Sequence, residues 1–156
     1  MADMNHLDER GNVHMVNVGD KAVTDRVAVA VATVEMGDDT RRRLFSDDLP
    51  KGDALATARI AAIGAAKRTP DLIPLCHPLA ISGVAVTIEQ VPVGATITVT
   101  VSVTAKTGVE MEAMTAASVG ALAIYDMVKG IDRAARIASV ELLAKSGGRS
   151  GEWRRG

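Results

Sequence analysis

Aromatic side chains are nearly missing from this chain: they make up 2% of its residues, as one Trp, one Tyr and one Phe. Single-stranded nucleic acid needs such rings for base stacking, and a formal net charge of -1 gives no general pull toward phosphate backbones. Nucleic-acid binding is therefore disfavoured. Cysteine is as scarce, and the single Cys76 excludes an internal disulfide. No apolar run approaches a membrane span, and the start Met-Ala-Asp-Met-Asn-His lacks the basic and apolar stretches of an export signal. These absences predict a soluble chain in a reducing, cytoplasmic setting.

What the sequence does have is enough apolar material for one core, 47% of 156 residues. The expected organisation is a mobile tail over 1–12, a single domain over 13–151 and a short tail over 152–156. Arg26 to Met36 alternates at a period of two and predicts a strand. Gly37 to Pro50, with Arg41, Arg42 and Arg43 in a row, reads as a solvated loop where phosphate would be welcome. Gly52 to Arg68 predicts a helix that starts near Asp53 and that Thr69-Pro70 stops. Asp71 to Leu79 holds two prolines and a Cys-His pair, which predicts a rigid loop.

Ile81 to Val91 and Ala95 to Thr104 are rich in Val, Ile and Thr, and Pro92-Val93-Gly94 reads as the hairpin joining them. Thr107 and Glu110 have capping-box spacing and predict a helix to Lys129, its apolar side formed by Met111, Met114, Ser118, Ala121, Leu122, Tyr125 and Val128. Ser139 to Lys145 predicts a short last strand. This order is the α+β, ferredoxin-like βαββαβ sandwich, an antiparallel sheet with two main helices on one face. Its other face would stay bare, and strands two and three read as apolar on both faces, so self-association is expected.

The long helix carries acids at both ends. Glu112 and Asp126 point the same way but lie roughly 21 Å apart along the axis, too far to share one small-molecule site within one chain. Asp126 and Lys129 are neighbours on one face, a spacing that on its own favours a solvated ion pair over a proton-transfer couple. Glu110 and Glu112 suit the helix dipole without any further role. Cys76 and His77 point opposite ways in an extended segment, which argues against a nucleophilic dyad, and they are too few for a metal site. Lys145-Ser-Gly-Gly-Arg-Ser-Gly151 reads equally as a flexible end or as an anion cradle.

Taken together, Lys51-Gly-Asp53, Leu72-Ile-Pro-Leu-Cys-His-Pro-Leu79, Thr107-Gly-Val-Glu-Met-Glu-Ala113, Tyr125-Asp-Met127 with Lys129, and Leu143-Ala-Lys-Ser-Gly-Gly148 resemble the cyclic pyranopterin monophosphate synthase family of molybdenum cofactor biosynthesis. Five strings in this order at this spacing are highly specific, and the likeness spans about residues 14 to 151. It implies a lyase that converts a 3',8-cyclised dihydroguanosine triphosphate into cyclic pyranopterin monophosphate and diphosphate. Position by position, Asp126 and Lys129 match the family's catalytic pair. Leu75, Cys76, His77, Met111 and Glu112 match its substrate-binding segments, and Lys51, Lys67, Glu110 and Lys145 match further pocket residues. No carboxylate cluster calls for a metal, and no cofactor is expected. The resemblance also implies a homohexamer, a trimer of dimers with each pocket at a dimer interface, where Glu112 of one subunit meets Asp126 of another.

Such a reaction involves several proton transfers, suited to a carboxylate, a histidine and a lysine of lowered pKa. Lys51, Lys129 and Lys145 in one pocket would depress one another, leaving Lys129 as the main acid/base with Asp126 orienting or deprotonating it. Asn17 stands where the family usually has Asp, and Val128 where Cys is common. Two alternatives are an inactive relative that binds a nucleotide or pathway partner, and an oligomeric scaffold. The first would have lost an acid or a base, and the second would need none of Lys51, His77, Asp126 or Lys145.

Overall fold

Alternation at a period of two builds the sheet, and the side chains it turns inward are small on one strand and large on the next. A computed structural model describes residues 6–156. The first five residues of the expected tail lie outside the described residues. Strand β1 (Thr24–Glu35) turns Ala28, Ala30, Ala32 and Val34 inward, and β3 (Gly94–Ala105) turns Ile97, Val99 and Val101 inward, all with no exposure. The two strands run antiparallel with Ala30 opposite Val99 and Ala32 opposite Ile97. Burying each Val or Ile side chain contributes about 1.5–3 kcal/mol, so a core almost free of aromatic rings is still adequate.

Between β1 and β3 come the charged helix α1 (Asp38–Phe45), α2 (Ala54–Lys67), the single turn α3 (Thr69–Leu72) and β2 (Gly83–Val91). After β3 follow α4 (Glu110–Val128), β4 (Arg136–Ser146) and β5 (Trp153–Arg154). The sheet order is β2-β3-β1-β4-β5, antiparallel throughout. The first four strands have the ferredoxin-like order. Helices α2 and α4 cover one face, α4 against β1, β3 and β4, and α2 against α4 and β2.

The long helix packs by smallness. Its buried stripe is Ala113, Ala116, Ala117, Gly120, Ala121, Ile124, Met127 and Val128. A Cβ added at Gly120 would come within 3.3 Å of Ala62 on α2 and 3.4 Å of Ile97 below, so the missing side chain lets helix meet helix. The expected apolar face is therefore wrong for Met111 and Leu122, which are 39% and 55% exposed. Large side chains drew that reading, whereas close approach to alanine-lined β1 selects the small ones. The capping box also fails. Val109 is the N-cap, and no side chain caps the helix. Glu110 turns instead toward Lys145, 3.5 Å away.

The charged stretch after β1 is not a loop. Asp38 pairs with Arg41 at 3.1 Å and Asp39 with Arg42 at 2.9 Å, both one turn apart on α1, while Thr40 and Leu44 bury its inner side. Arg43 pairs with Asp48 at 3.3 Å, and Arg41 also donates to the Pro92 carbonyl. All three arginines thus have partners inside the chain. Asp53 caps α2 by accepting from the Ala56 N–H at 2.8 Å, as the sequence suggested. Thr69-Pro70 ends that helix but opens α3, with proline in its first turn where no N–H is needed.

The uncovered sheet face is less apolar than expected. Thr96, Thr98, Thr100 and Ser102 of β3 lie there beside Val27, Val29 and Val31 of β1. Trp153–Arg154 pairs with Ala144 and Lys145, so part of the stretch read as a terminal tail extends the sheet. Leu7 and Val13 bridge across an Asp8-centred turn near the start.

Candidate active site

Two charged clusters form at opposite ends of α4. At its C-terminal end, Asp126 accepts from Lys129 at 2.7 Å through one carboxylate oxygen and from Lys51 at 2.8 Å through the other. Lys51 also donates to the Asp126 carbonyl at 2.8 Å. Lys129 arrives there because it follows Asp126 by three positions, and Lys51 because Gly52 turns the chain into the capped start of α2. A lone carboxylate at a helix C-terminus faces the negative end of the dipole, and the two ammonium groups offset that.

The pair of lysines holds the Asp126 carboxyl down to about 2, with the hydrogen bond from Lys129 as the largest cause and that from Lys51 next. In return Asp126 raises Lys129 above its ordinary value. Within one chain Lys129 is therefore raised rather than lowered, because its nearest charge is an anion, not another lysine.

At the N-terminal end, Glu110 pairs with Lys145 of β4, and Glu112 is buried with 3% exposure. No ion pair engages Glu112 among the described residues. Burial pushes its carboxyl up, and neighbouring Glu110 adds to the shift. The Cys76 thiol is raised too, first by burial and then by the charge of Glu112. The Cys76 loop therefore lies over the start of α4. His77 turns elsewhere, its Nε2 2.8 Å from the Val16 carbonyl oxygen, in keeping with the absence of a Cys-His dyad.

Of the residues singled out in sequence, Lys51, Asp126 and Lys129 come together, as do Cys76, Glu110, Glu112 and Lys145. Leu75 is half-buried beside Cys76, and Met111 stands exposed in the first turn of α4. Lys67, at the end of α2, borders a separate groove with Leu79 and Ile81. The lysines are split: Lys145 belongs to the cluster opposite Lys51 and Lys129, not to a common pocket within one chain. Among the described residues no group of three or more His, Cys, Asp or Glu side chains is placed to hold a metal ion. No described helix is long and apolar enough to cross a membrane.

Residues 15–148 match the model of the MoaC family, which is most of the chain. The chain belongs to the MoaC family. Similar MoaC-type relatives include a cyclic pyranopterin monophosphate synthase of Roseiflexus castenholzii, 56% identical over 97% of this chain and 98% of its own length. The protein of that name from Streptomyces griseus is 54% identical, over 97% of this chain and 86% of its own. From Mycobacterium bovis, cyclic pyranopterin monophosphate synthase 2 is 51% identical, over 98% of this chain and 92% of its own. Of the two departures from the usual MoaC strings, Asn17 uses its side chain to accept from the Gly19 N–H at 2.8 Å, and Val128, the last residue of α4, is fully buried. Neither position belongs to a charged cluster.

Proposed function

We infer that the chain is a cyclic pyranopterin monophosphate synthase, a lyase that converts (8S)-3',8-cyclo-7,8-dihydroguanosine 5'-triphosphate into cyclic pyranopterin monophosphate and diphosphate in molybdenum cofactor biosynthesis. The observation that carries this reading is the Lys51–Asp126–Lys129 group, complete and mutually bonded in a chain that matches synthases nearly end to end. An inactive relative would have lost one of these charges.

In this reading Lys129 enters the reaction as the protonated acid, kept charged by Asp126. It donates toward the nucleotide, while Lys51 and the other cations offset the charge that develops as diphosphate leaves. Glu112 is the complementary group, a carboxyl moved toward neutrality by burial and so better able to take a proton. Leu75, Cys76, His77 and Met111 line the nucleotide's place, with Lys67, Glu110 and Lys145 around it.

One chain cannot deliver both ends of α4 to one ligand, since Glu112 and Asp126 are roughly 21 Å apart along the helix. A second copy can, running its helix alongside so that the start of one meets the end of the other. The arrangement is a homohexamer, three dimers each holding two shared sites, in the cytoplasm. Exposed Leu122 and Met111 on α4 and Ile60 on α2 supply apolar contact for such an interface. Incubating the purified chain with the cyclised nucleotide and assaying both diphosphate and the pterin chromophore tests the function directly. Binding without release would sink it.

A further inference from the structure

Strand β4 carries one residue more than β1 can pair. Leu142 lies opposite Ala30 and Ala144 opposite Val29, which leaves Leu143 as the extra residue of a β-bulge. Beyond it Lys145 falls opposite Ala28, a buried residue on the helix side of the sheet. Residues directly opposite in an antiparallel pair share a face, so Lys145 points to the helix side as well, where it meets Glu110. Continued without the bulge, the register would bring Lys145 opposite Val27, on the uncovered face. The bulge therefore decides whether this cation joins the cluster at the start of α4. A second bulge, at Ala138, has a packing role instead: it turns Ile137 toward the core opposite Val34.

Arg155 holds this bulge from the outer edge of β4. Its backbone N–H donates to the Leu143 carbonyl at 2.8 Å and its Nε to the Leu142 carbonyl at 2.9 Å. Its Nη1 lies 3.7 Å from the Glu141 carboxylate. Three consecutive residues of β4 are thus tied to one arginine, next to the short pairing of Ala144 with Arg154 and Lys145 with Trp153. Charge-assisted donors are stronger than neutral ones, and this one acts where the register shifts. The guanidinium is in turn seated over the Trp153 ring, 5.9 Å from its centroid.

We propose that Arg155 is a positioning residue for the reaction: by pinning the Leu143 bulge it keeps Lys145 on the helix side of the sheet, beside Glu110 and within reach of the nucleotide. What Lys145 binds rests on the synthase reading; where it points does not. Arg155 itself belongs to neither charged cluster and acts only through the strand that it holds.

The test combines steady-state kinetics on the cyclised nucleotide with acetylation of the folded full chain by acetic anhydride, the modified fraction at Lys145 being read by mass spectrometry. Arg155→Ala should raise KM by about tenfold, as Lys145→Ala should, because withdrawing a charged hydrogen bond from a ligand loosens it by that order. The change in kcat should be smaller. Together the two substitutions should give roughly the same tenfold rise, not the roughly hundredfold rise of independent losses. Arg155→Lys, which keeps a charged donor near the Leu142 carbonyl, should recover part of the affinity. In Arg155→Ala the Lys145 amine, released from Glu110, should acetylate several times faster than in wild type. Arg136→Ala removes the ion pair with Glu35 at the far end of β4 and should change neither reading. An unchanged acetylation rate or an unchanged KM in Arg155→Ala, or a further loss of the same size when it is added to Lys145→Ala, would overturn the positioning role. Faster acetylation in Arg155→Ala, with a wild-type chain that never turns over the nucleotide, would leave that role standing and count against the synthase reading alone.

Discussion

Asp126 and Lys51 are 75 residues apart in the chain and 2.8 Å apart in space. Lys129 holds the other oxygen of the same carboxylate at 2.7 Å, so one carboxylate organises two ammonium groups. The linkage follows in sign. Asp126 is depressed, so its contribution to folding is present above the ordinary value of 3.8 and lost as pH falls toward about 2. Lys129 is raised, so its contribution is present below 10.5 and lost only above it. Between those limits the group's stability contribution should be flat with pH. Turnover should likewise show no loss near neutrality traceable to Lys129. Melting curves and pH–rate profiles of wild type and Asp126→Asn check both, and a neutral-pH inflection that vanishes with Lys129→Arg would contradict the assignment.

Lys129→Ala should abolish product formation while leaving an intact oligomer, because the exposed pair contributes little to folding. The product assay and sedimentation velocity decide it together. Near-normal turnover would remove Lys129 from the reaction.

Glu112 has the opposite sign from Asp126. Its carboxyl is raised by burial, so the folded chain favours the protonated acid and loses stability as pH rises through 4.5 toward the shifted value. Glu112→Gln should erase that slope and melt higher than wild type at neutral pH, yet bind the nucleotide more weakly. A parallel slope in both proteins, followed by calorimetry across that range, would show the carboxyl to be solvated.

Shared sites make a mixing experiment decisive. Glu112→Ala and Asp126→Ala chains, each inactive alone, should recover activity when unfolded, mixed equally and refolded. Half of random dimers pair one of each, and one site in every such dimer is then intact, so roughly a quarter of wild-type activity is expected. No recovery would place both groups in separate sites.

Gly120→Val tests the helix contact. A branched side chain has to enter where 3.3 Å separates an added Cβ from Ala62, and overpacking of that kind costs about 2 kcal/mol. Urea denaturation should report it as a lower midpoint. Unchanged stability would mean that α2 and α4 separate easily.

Strand alternation, the capped start of α2 and the β2–β3 hairpin were legible because each depends on neighbouring residues. The helix α1 was missed although Asp38-Asp39 at one end and Arg42-Arg43 at the other suit its dipole: the arginine run suggested solvent more strongly than a helix turn. The inward face of α4 was misjudged because size says nothing about how near the next element lies. Asp126 and Lys129 could be paired from spacing, but Lys51 joined them only through the family strings, since 75 intervening residues hide the contact.

Helix α4 spans 19 residues without a break, and both charged clusters hang from it. It therefore acts as a ruler. Deleting one residue from its middle would shorten the spacing by about 1.5 Å and, worse, swing one cluster by about 100° relative to the other. A tract of this sort should tolerate exchange of its outward side chains far better than any change in length.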